Sequence, residues 1–474
     1  MQRLIYLTAA LAVAFPTATL AQSAPVSRFN AEVFAGLELR SIGPAAVGGR
    51  ISDIAVDPSR RSTWYVSTAS GGVYKTTNAG TTWQPIFDRG GSYSIGVVAV
   101  DPKDSRVVWI GTGENTGQRS VGFGDGVYRS TDAGASWQHV GLKNSEHIGR
   151  IVFDPRNSAV VYVAAQGPLW SAGGERGLYR TTDGGRTWNR ALHVSENTGI
   201  SDVVINPRNP DELYAASYQR RRHVGLQIAG GPEGGIYKST DAGRTWRRLT
   251  SGLPAGEVGR IGIALAPHDP SVVYALVAAA GRTGGFFRSS DSGATWVRQS
   301  DFVPTDPQYY MELYPDPHKP GRIYTLDVPF RVTDDEGKTW RSVGGSGVHV
   351  DQHAVVIDPA DPEHILLGND GGLYQTFDGG QTWRWFDNLP AAQFYRIDVD
   401  NAVPFYNVYG GLQDNGSLMS PVRTLSSQGV LNHNWESIGG GDGMQPRAAP
   451  GSPDIVYVQS QNGSISRLNR RTGE

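Results

Sequence analysis

The sequence predicts an all-β fold: a β-propeller of four-stranded antiparallel blades with about 8–9 blade periods. Three observations carry this. A box of the form Ser/Thr-x-Asp-x-Gly-x-Thr/Ser-Trp recurs at a spacing of about 50 residues, ending at Trp83, Trp137, Trp188, Trp246, Trp296, Trp340 and Trp383. A second element recurs out of phase with it: an apolar run, Asp-Pro or its variant, a short loop and a Val-Tyr-Val-like strand, as in Phe153-Asp154-Pro155 before Val161-Tyr162-Val163. The chain also holds 61 glycines and 28 prolines with 10% aromatics, which suits short strands between tight turns and excludes a disordered or collagen-like chain.

Taken in order, residues 1–21 read as a secretory signal peptide. Arg3 precedes an apolar run from Leu4 to Phe15, and Thr19-Leu20-Ala21 offers small residues before a cut after Ala21. The run is short of the roughly 20 residues a membrane span needs, and no later stretch supplies one. The mature protein is therefore expected outside the cytoplasm, in a bacterial periplasm or secreted. Residues 22–40 are a linker and 41–385 hold seven boxed blades. The third period is the clearest, with strands at Arg150 to Phe153, Val160 to Ala164, Gly177 to Arg180 and from Trp188. Residues 386–474 keep Trp435 but lose the box. They either join the same ring or begin a second propeller, and they are expected to be incomplete because the chain stops in mid-blade.

The box is expected to be structural. Its Asp carboxylate and Ser/Thr hydroxyl accept hydrogen bonds from turn N–H groups, its Gly suits a positive φ, and its Trp packs between sheets. Asp132, Asp183, Asp241, Asp291, Asp335 and Asp378 hold the acidic position, with Asn78 in the first copy and one extra residue ahead of Asp335 in the sixth. Carboxylates committed to backbone donors are poor catalysts.

These boxes resemble the Asp-box (BNR) repeats of bacterial sialidases, sortilin-type receptor ectodomains and xyloglucanase-type glycoside hydrolases, and those of a photosystem assembly factor. The nearest resemblance is to large exported bacterial proteins of the sortilin N-terminal-like or glycosyl hydrolase kind. It rests on Gly111-Thr-Gly-Glu-Asn115, Gly124-Asp-Gly-Val-Tyr-Arg-Ser130, Gly411-Leu-Gln-Asp-Asn-Gly416 and Gly440-Gly-Asp-Gly443, and it covers about residues 40–474. It implies the propeller fold and, for function, either ligand capture or polysaccharide hydrolysis.

Chemistry is expected on the face opposite the boxes. Loops between second and third strands offer Glu114, Arg119, Trp170, Tyr218 and Arg221 for binding, with aromatics beside polar groups. Innermost strands offer Arg50, Asp53, Arg150, Asp202, Arg260, Asp351 and His353 to a central channel. Asp351-Gln352-His353 is the densest cluster, an acid–base pair, a weak metal site or, on the plainest reading, a hydrogen-bond network. Asp414 and Asp442 lie in Gly-flanked loops at the rim. A glycosidase needs two carboxylates, and Asp53 with Asp414, or Glu114 with Asp442, are candidate catalytic pairs.

Several classes are argued against. Zero cysteines exclude disulfides, thiolate metal sites and Cys nucleophiles. A net charge of −2 gives no footprint for nucleic acid. Arg50, Arg150, Arg260 and Arg322 precede Ile but never Ile-Pro, which argues against sialidase activity. No cofactor motif is present, and Asp334-Asp-Glu336 and Asp398-Val-Asp400 read as turns rather than calcium sites, so neither a cofactor nor a metal is expected. The preferred reading is an exported propeller that binds a peptide, protein or glycan through its loop face or channel. The alternative is a glycoside hydrolase with paired Asp/Glu.

Overall fold

The computed structural model describes residues 31–37 and 40–474, so the leader expected over residues 1–21 lies outside the described residues. The chain divides into two compact units, 1–42 and 43–474. The described part of the first holds a single helical turn, Ala31–Phe34. The second is a β-propeller of antiparallel sheets. Among the described residues no helix is long and apolar enough to cross a membrane.

The strand order follows the sequence pattern. The third sheet contains Ile148–Asp154, Asn157–Ala165, Gly177–Thr181 and Asn189–Leu192, each hydrogen-bonded to the next in chain order. Seven four-stranded sheets of this kind run from Ile51 to Trp385. An eighth runs from Phe394 to Gly439, and a three-stranded sheet follows from Gln445 to Asn469. The second strands are the most apolar, because both of their faces are covered: Trp64, Trp109, Tyr162, Tyr214 and Tyr274 are all buried.

Apolar cores lie between consecutive sheets. Tyr65, Val73 and Phe87 of the first meet Val98, Val108 and Tyr128 of the second, and equivalent cores follow through to the sixth and seventh. A further core returns from the seventh sheet to the first, joining Ala354, Leu366 and Phe386 to Ile51, Trp64 and Val66. The eighth and ninth sheets share their own core of Tyr409, Met419, Ile438, Val456 and Val458.

The boxes form the turns between third and fourth strands. In the second sheet the Ser130 hydroxyl donates to Asp132 Oδ1 at 2.7 Å and accepts from Gly134 N at 2.8 Å, while Ser136 donates to Asp132 through N at 2.8 Å and through Oγ at 2.6 Å. These donors hold the Asp132 carboxyl down at about 2, the Ser136 hydroxyl being the largest influence. Gly134 has φ 89°, and a Cβ there would meet Ile86 Cδ1 at 2.7 Å. Trp137 is half-buried and donates Nε1–H to Ile86 O of the preceding sheet at 2.7 Å, so this box clamps its own hairpin and its neighbour; Trp188 does the same toward Val140 O, whereas Trp246 and Trp383 donate within their own boxes. Asn78 reproduces the pattern, accepting from Thr82 N and donating to Thr82 Oγ1, both at 2.9 Å. The sixth box is regular despite its extra residue, because Thr333 takes the hydroxyl role toward Asp335 at 2.8 Å.

Candidate functional site

In an antiparallel sheet the turn between strands two and three lies at the opposite end from the turn between strands three and four. The boxes occupy the latter end. The former collects the functional candidates, in three layers.

The deepest layer is a polar cavity along the first strands, lined by Asp53, Arg150, Asp202, Arg260, Glu312, Tyr314 and His353 among others. A β-bulge recurs in these strands, and it leaves Ser52, Gly96, Gly149 and Ser201 unpaired in the first four sheets, His353 in the seventh and Tyr395 in the eighth. A bulge re-aims side chains out of the ladder. Small residues keep the cavity open on one side, while His353 and Tyr395 project from the same structural slot. The cavity charges are balanced in pairs: Arg150 with Asp202 at 3.1 Å, Arg260 with Glu312 at 2.5 Å. Asp53 accepts from Ile54 N at 2.9 Å and Val98 N at 3.1 Å, and burial pushes its carboxyl up to about 6 against the pull of Arg150.

The middle layer is a strap, the loop 114–117 of the second sheet, which ties itself to residues of the first, third, fourth and fifth. The Glu114 carboxylate pairs with Arg50 of the first sheet at 2.6 Å. The Glu114 carbonyl meets His147 Nδ1 at 2.7 Å, and the Asn115 carbonyl accepts from Gln166 Nε2 at 3.2 Å. The carbonyls of Thr116 and Gly117 accept from Arg220 at 2.5 Å and Arg222 at 2.7 Å. Asn115 Oδ1 accepts from Arg260 at 3.2 Å. The loop starts from Gly113, φ 84°, where a Cβ would lie 1.7 Å from Glu146 O. This segment is tied down over the polar cavity and is not an open loop free to reshape around a ligand.

The outer layer is an acidic cluster. Asp370 is buried and gripped by Arg50 through two hydrogen bonds of 2.7 Å, with His353 Nε2 2.8 Å away. Despite its burial, Arg50 and His353 hold its carboxyl well below the usual range. Asp351 accepts from Tyr310 OH at 2.5 Å and has φ 67°. Asp414 N donates to Asp442 Oδ1 at 2.9 Å, and Gln413 Nε2 bridges Asp370 and Asp414 at 3.2 Å each. Burial, then the neighbouring Asp370 and Asp442, push the Asp414 carboxyl up to about 8, so it carries a proton at neutral pH. Asp351, Asp370 and Asp414 each present an oxygen within 4.8 Å of the others, close enough to hold a cation between them. Tyr395, 39% exposed, stands beside Asp414 and Asp442; partial burial, then the charge of Asp442, hold its hydroxyl protonated.

The expected site residues therefore separate. Asp351, Asp414, Asp442 and His353 share the outer cluster. Asp53 and Arg150 belong to the cavity beneath. Glu114 is committed to Arg50. Arg119 and Trp170 are exposed, and Arg221 donates to Asn197 Oδ1 at 2.7 Å. Tyr218 corrects the expectation of a binding loop. It is 2% exposed inside the strand Leu213–Gln219, and the expected loop after it is a hairpin of Arg221–His223 with Leu226–Ile228. Alternation across a fully covered strand hides this, because both faces are apolar or neutral. Asp334 and the Asp398/Asp400 pair are held by ion pairs and turn donors: Asp334 by Lys319, Arg322 and Arg341, Asp398 by Arg447, Asp400 by Asn407 and Tyr409. Sequence reading misses Asp370, Tyr310, Gln413 and Tyr395. A signal exists for the first: Asp370, like Glu114 and Asp414, sits within two residues of the end of a second strand.

Comparison with known proteins finds a sortilin-type repeat family and xyloglucanases among those the chain resembles. The family model for sortilin, neurotensin receptor 3 (Sortilin-Vps10), matches residues 125–251. A xyloglucanase of Paenibacillus sp. is 25% identical over 262 residues, half of this chain and 24% of that one. A xyloglucanase of Hypocrea jecorina is 28% identical over 229 residues, 42% of this chain and 26% of that one. The match thus spans about a quarter of these relatives. Among solved structures, the GH74 xyloglucanase from Xanthomonas campestris superposes with a TM-score of 0.65 at 18% identity, covering 91% of this chain and 67% of that one. The GH74 enzyme of Niastella koreensis gives 0.55 at 18% identity over 90% of this chain and 74% of that one.

Proposed function

We propose that the chain is an exported propeller that acts on a polysaccharide of the xyloglucan class, as a glycoside hydrolase whose reacting groups lie in the outer acidic cluster. The observation that carries this is the pairing of a protonated carboxylic acid, Asp414, with a second carboxylate, Asp351, beneath an exposed aromatic ring, Tyr395. The relatives favour this reading over the ligand-binding module preferred from sequence. The strap supports the same reading: loop 114–117 spends its carbonyls on His147, Gln166, Arg220 and Arg222, so it has few acceptors left for a peptide backbone.

Asp414 is the proton donor. It protonates the glycosidic oxygen as the bond to the anomeric carbon breaks, and its raised pKa keeps the proton available at neutral pH. Asp351 is the second carboxylate. In the retaining course proposed here it attacks the anomeric carbon, and water later releases the sugar. Asp370 stays ionised on Arg50 and raises Asp414 by its charge. Tyr395 stacks on a sugar ring. The seven boxed sheets form one ring, closed by the core between seventh and first, and residues 386–474 begin a second propeller whose Asp414 and Asp442 complete the site.

The test is hydrolysis of xyloglucan and mixed β-glucans by the purified protein, with Asp414→Asn and Asp351→Asn alongside and the product anomer read by NMR. Sugar release abolished by both variants, with retained anomeric configuration, is expected. Binding of the polysaccharide without release by folded protein would return the chain to the binding class.

A further inference from the structure

Beneath the strap lies a positive charge with no counterion. Arg220 is 2% exposed, and its single hydrogen bond runs from Nη1 to Thr116 O at 2.5 Å. Its Nε and Nη2, the edge of a guanidinium that grips carboxylates in parallel, have no partner. The surrounding charges do not compensate. Arg260 is spent on Glu312. Arg176, 1% exposed, is a second buried guanidinium, and it turns its donors to the carbonyls of Gly173, Gln166, Pro168 and Ser171 without meeting a carboxylate. His147 is held neutral by burial and by these two arginines, Arg220 and Arg176. Burial is the largest influence on Arg220; the group that most favours its charge is Tyr218, a phenol that burial keeps protonated, while the pull of the Glu146 carboxylate is smaller than the repulsion from Arg176 and Arg260. The Thr116 hydroxyl, on the residue that Arg220 holds, is also buried without an acceptor. Donors and positive charge are in excess at one buried point, and a buried charge persists only when paired.

We propose that the Nε–Nη2 edge of Arg220 binds a small monovalent anion, a halide or a simple carboxylate, and that this anion locks the strap 114–117 onto the fourth sheet. Water satisfies hydrogen bonds but leaves the charge unbalanced. Only the Arg220 edge is open, since Arg176 turns its donors to carbonyls, so a singly charged anion matches the site and a divalent one finds no second facing guanidinium. Because the strap also carries Glu114 to Arg50, the anion stiffens the floor of the acidic cluster while standing apart from it. The inference holds whether or not the cluster hydrolyses glycans.

The experiment is a thermal-unfolding titration of the purified protein at constant ionic strength. Gluconate is replaced by bromide, formate or sulfate. Bromide and formate are expected to raise the midpoint once they exceed Kd, by on the order of 1–2 °C for each further tenfold, while sulfate does not. Arg220→Gln abolishes the response, and Arg176→Gln lowers the midpoint but keeps it. Anomalous diffraction from crystals grown in bromide shows a peak beside Arg220, which decides the matter should Arg220→Gln fail to fold. A midpoint indifferent to anion identity, or bromide confined to the protein surface with water beside Arg220, overturns the proposal.

Discussion

Two sets of aspartates, at opposite ends of the same sheets, behave in opposite ways. In the box, Asp132 accepts from a backbone N–H and two hydroxyls at the surface, and its carboxyl is held down at about 2. In the outer cluster, Asp414 is half-buried beside Asp370 and Asp442, and its carboxyl rises to about 8. The residue type is the same and the backbone setting is a turn in both. What differs is who faces the carboxylate: donors in one case, other carboxylates and low-dielectric surroundings in the other. A fold that repeats one hairpin can thus use aspartate as a clamp at one end and as an acid at the other.

The contrast can be broken most severely at Arg50. It is the cation that lets Asp370 stay charged while buried, so Arg50→Met leaves two buried carboxylates uncompensated and is expected to cost about 3–5 kcal/mol in denaturant unfolding. Next, Asp414→Asn should reduce glycan hydrolysis by roughly 10²–10⁴-fold without lowering the unfolding midpoint, since the acid is already neutral. A variant of unchanged activity would remove Asp414 from the chemistry. At the box end, Trp188→Ala should cost about 3 kcal/mol, because Trp188 packs edge-on against Trp109 at 6.1 Å and donates to Val140 O at 2.6 Å across two sheets.

The pH dependence sharpens the comparison, since the two ends have opposite signs. A box carboxyl depressed to about 2, as at Asp132, Asp241 and Asp378, contributes stability that is complete above its unfolded value near 4 and is lost as pH falls toward 2. Asp414 does the reverse. Its native proton is lost by the unfolded chain above about pH 4, so its contribution to stability declines as pH rises from about 4 to about 8. Hydrolysis should fall through the same upper limit near 8, and Asp414→Asn should remove the decline in stability between about pH 4 and about 8. The smallest effect is expected at Asn78→Asp, within about 0.5 kcal/mol at neutral pH, because Asn78 already makes the contacts that the other boxes make with Asp. A larger change there would show that charge as well as hydrogen bonding sets box stability.

Much of this is legible in the chain. The box residues and the four-strand period follow from local chemistry: a hydroxyl, a carboxylate and a glycine within five residues close a turn by themselves, and the pattern reads the same wherever it lies. The site is legible only in part. Asp351, Asp414, Asp442 and His353 are visible as polar residues in glycine-flanked or inner-strand segments, and the structure gathers them. Tyr218 misleads because a buried strand residue next to a polar run looks like a loop. Asp370 escapes notice because its partners, Arg50 and Gln413, lie far from it in the chain, 320 and 43 residues away.

By itself, then, the sequence determined the repeat, the hairpin clamps and the class of fold, since each depends on neighbours a few residues apart. The tertiary structure alone decided which aspartate is pushed toward its protonated form, which arginine lies buried without a counterion, and that the strap 114–117 is tied to neighbouring sheets. Those properties depend on burial and on charges brought from sheets that the chain separates by tens to hundreds of residues, and no local pattern encodes the distance between them.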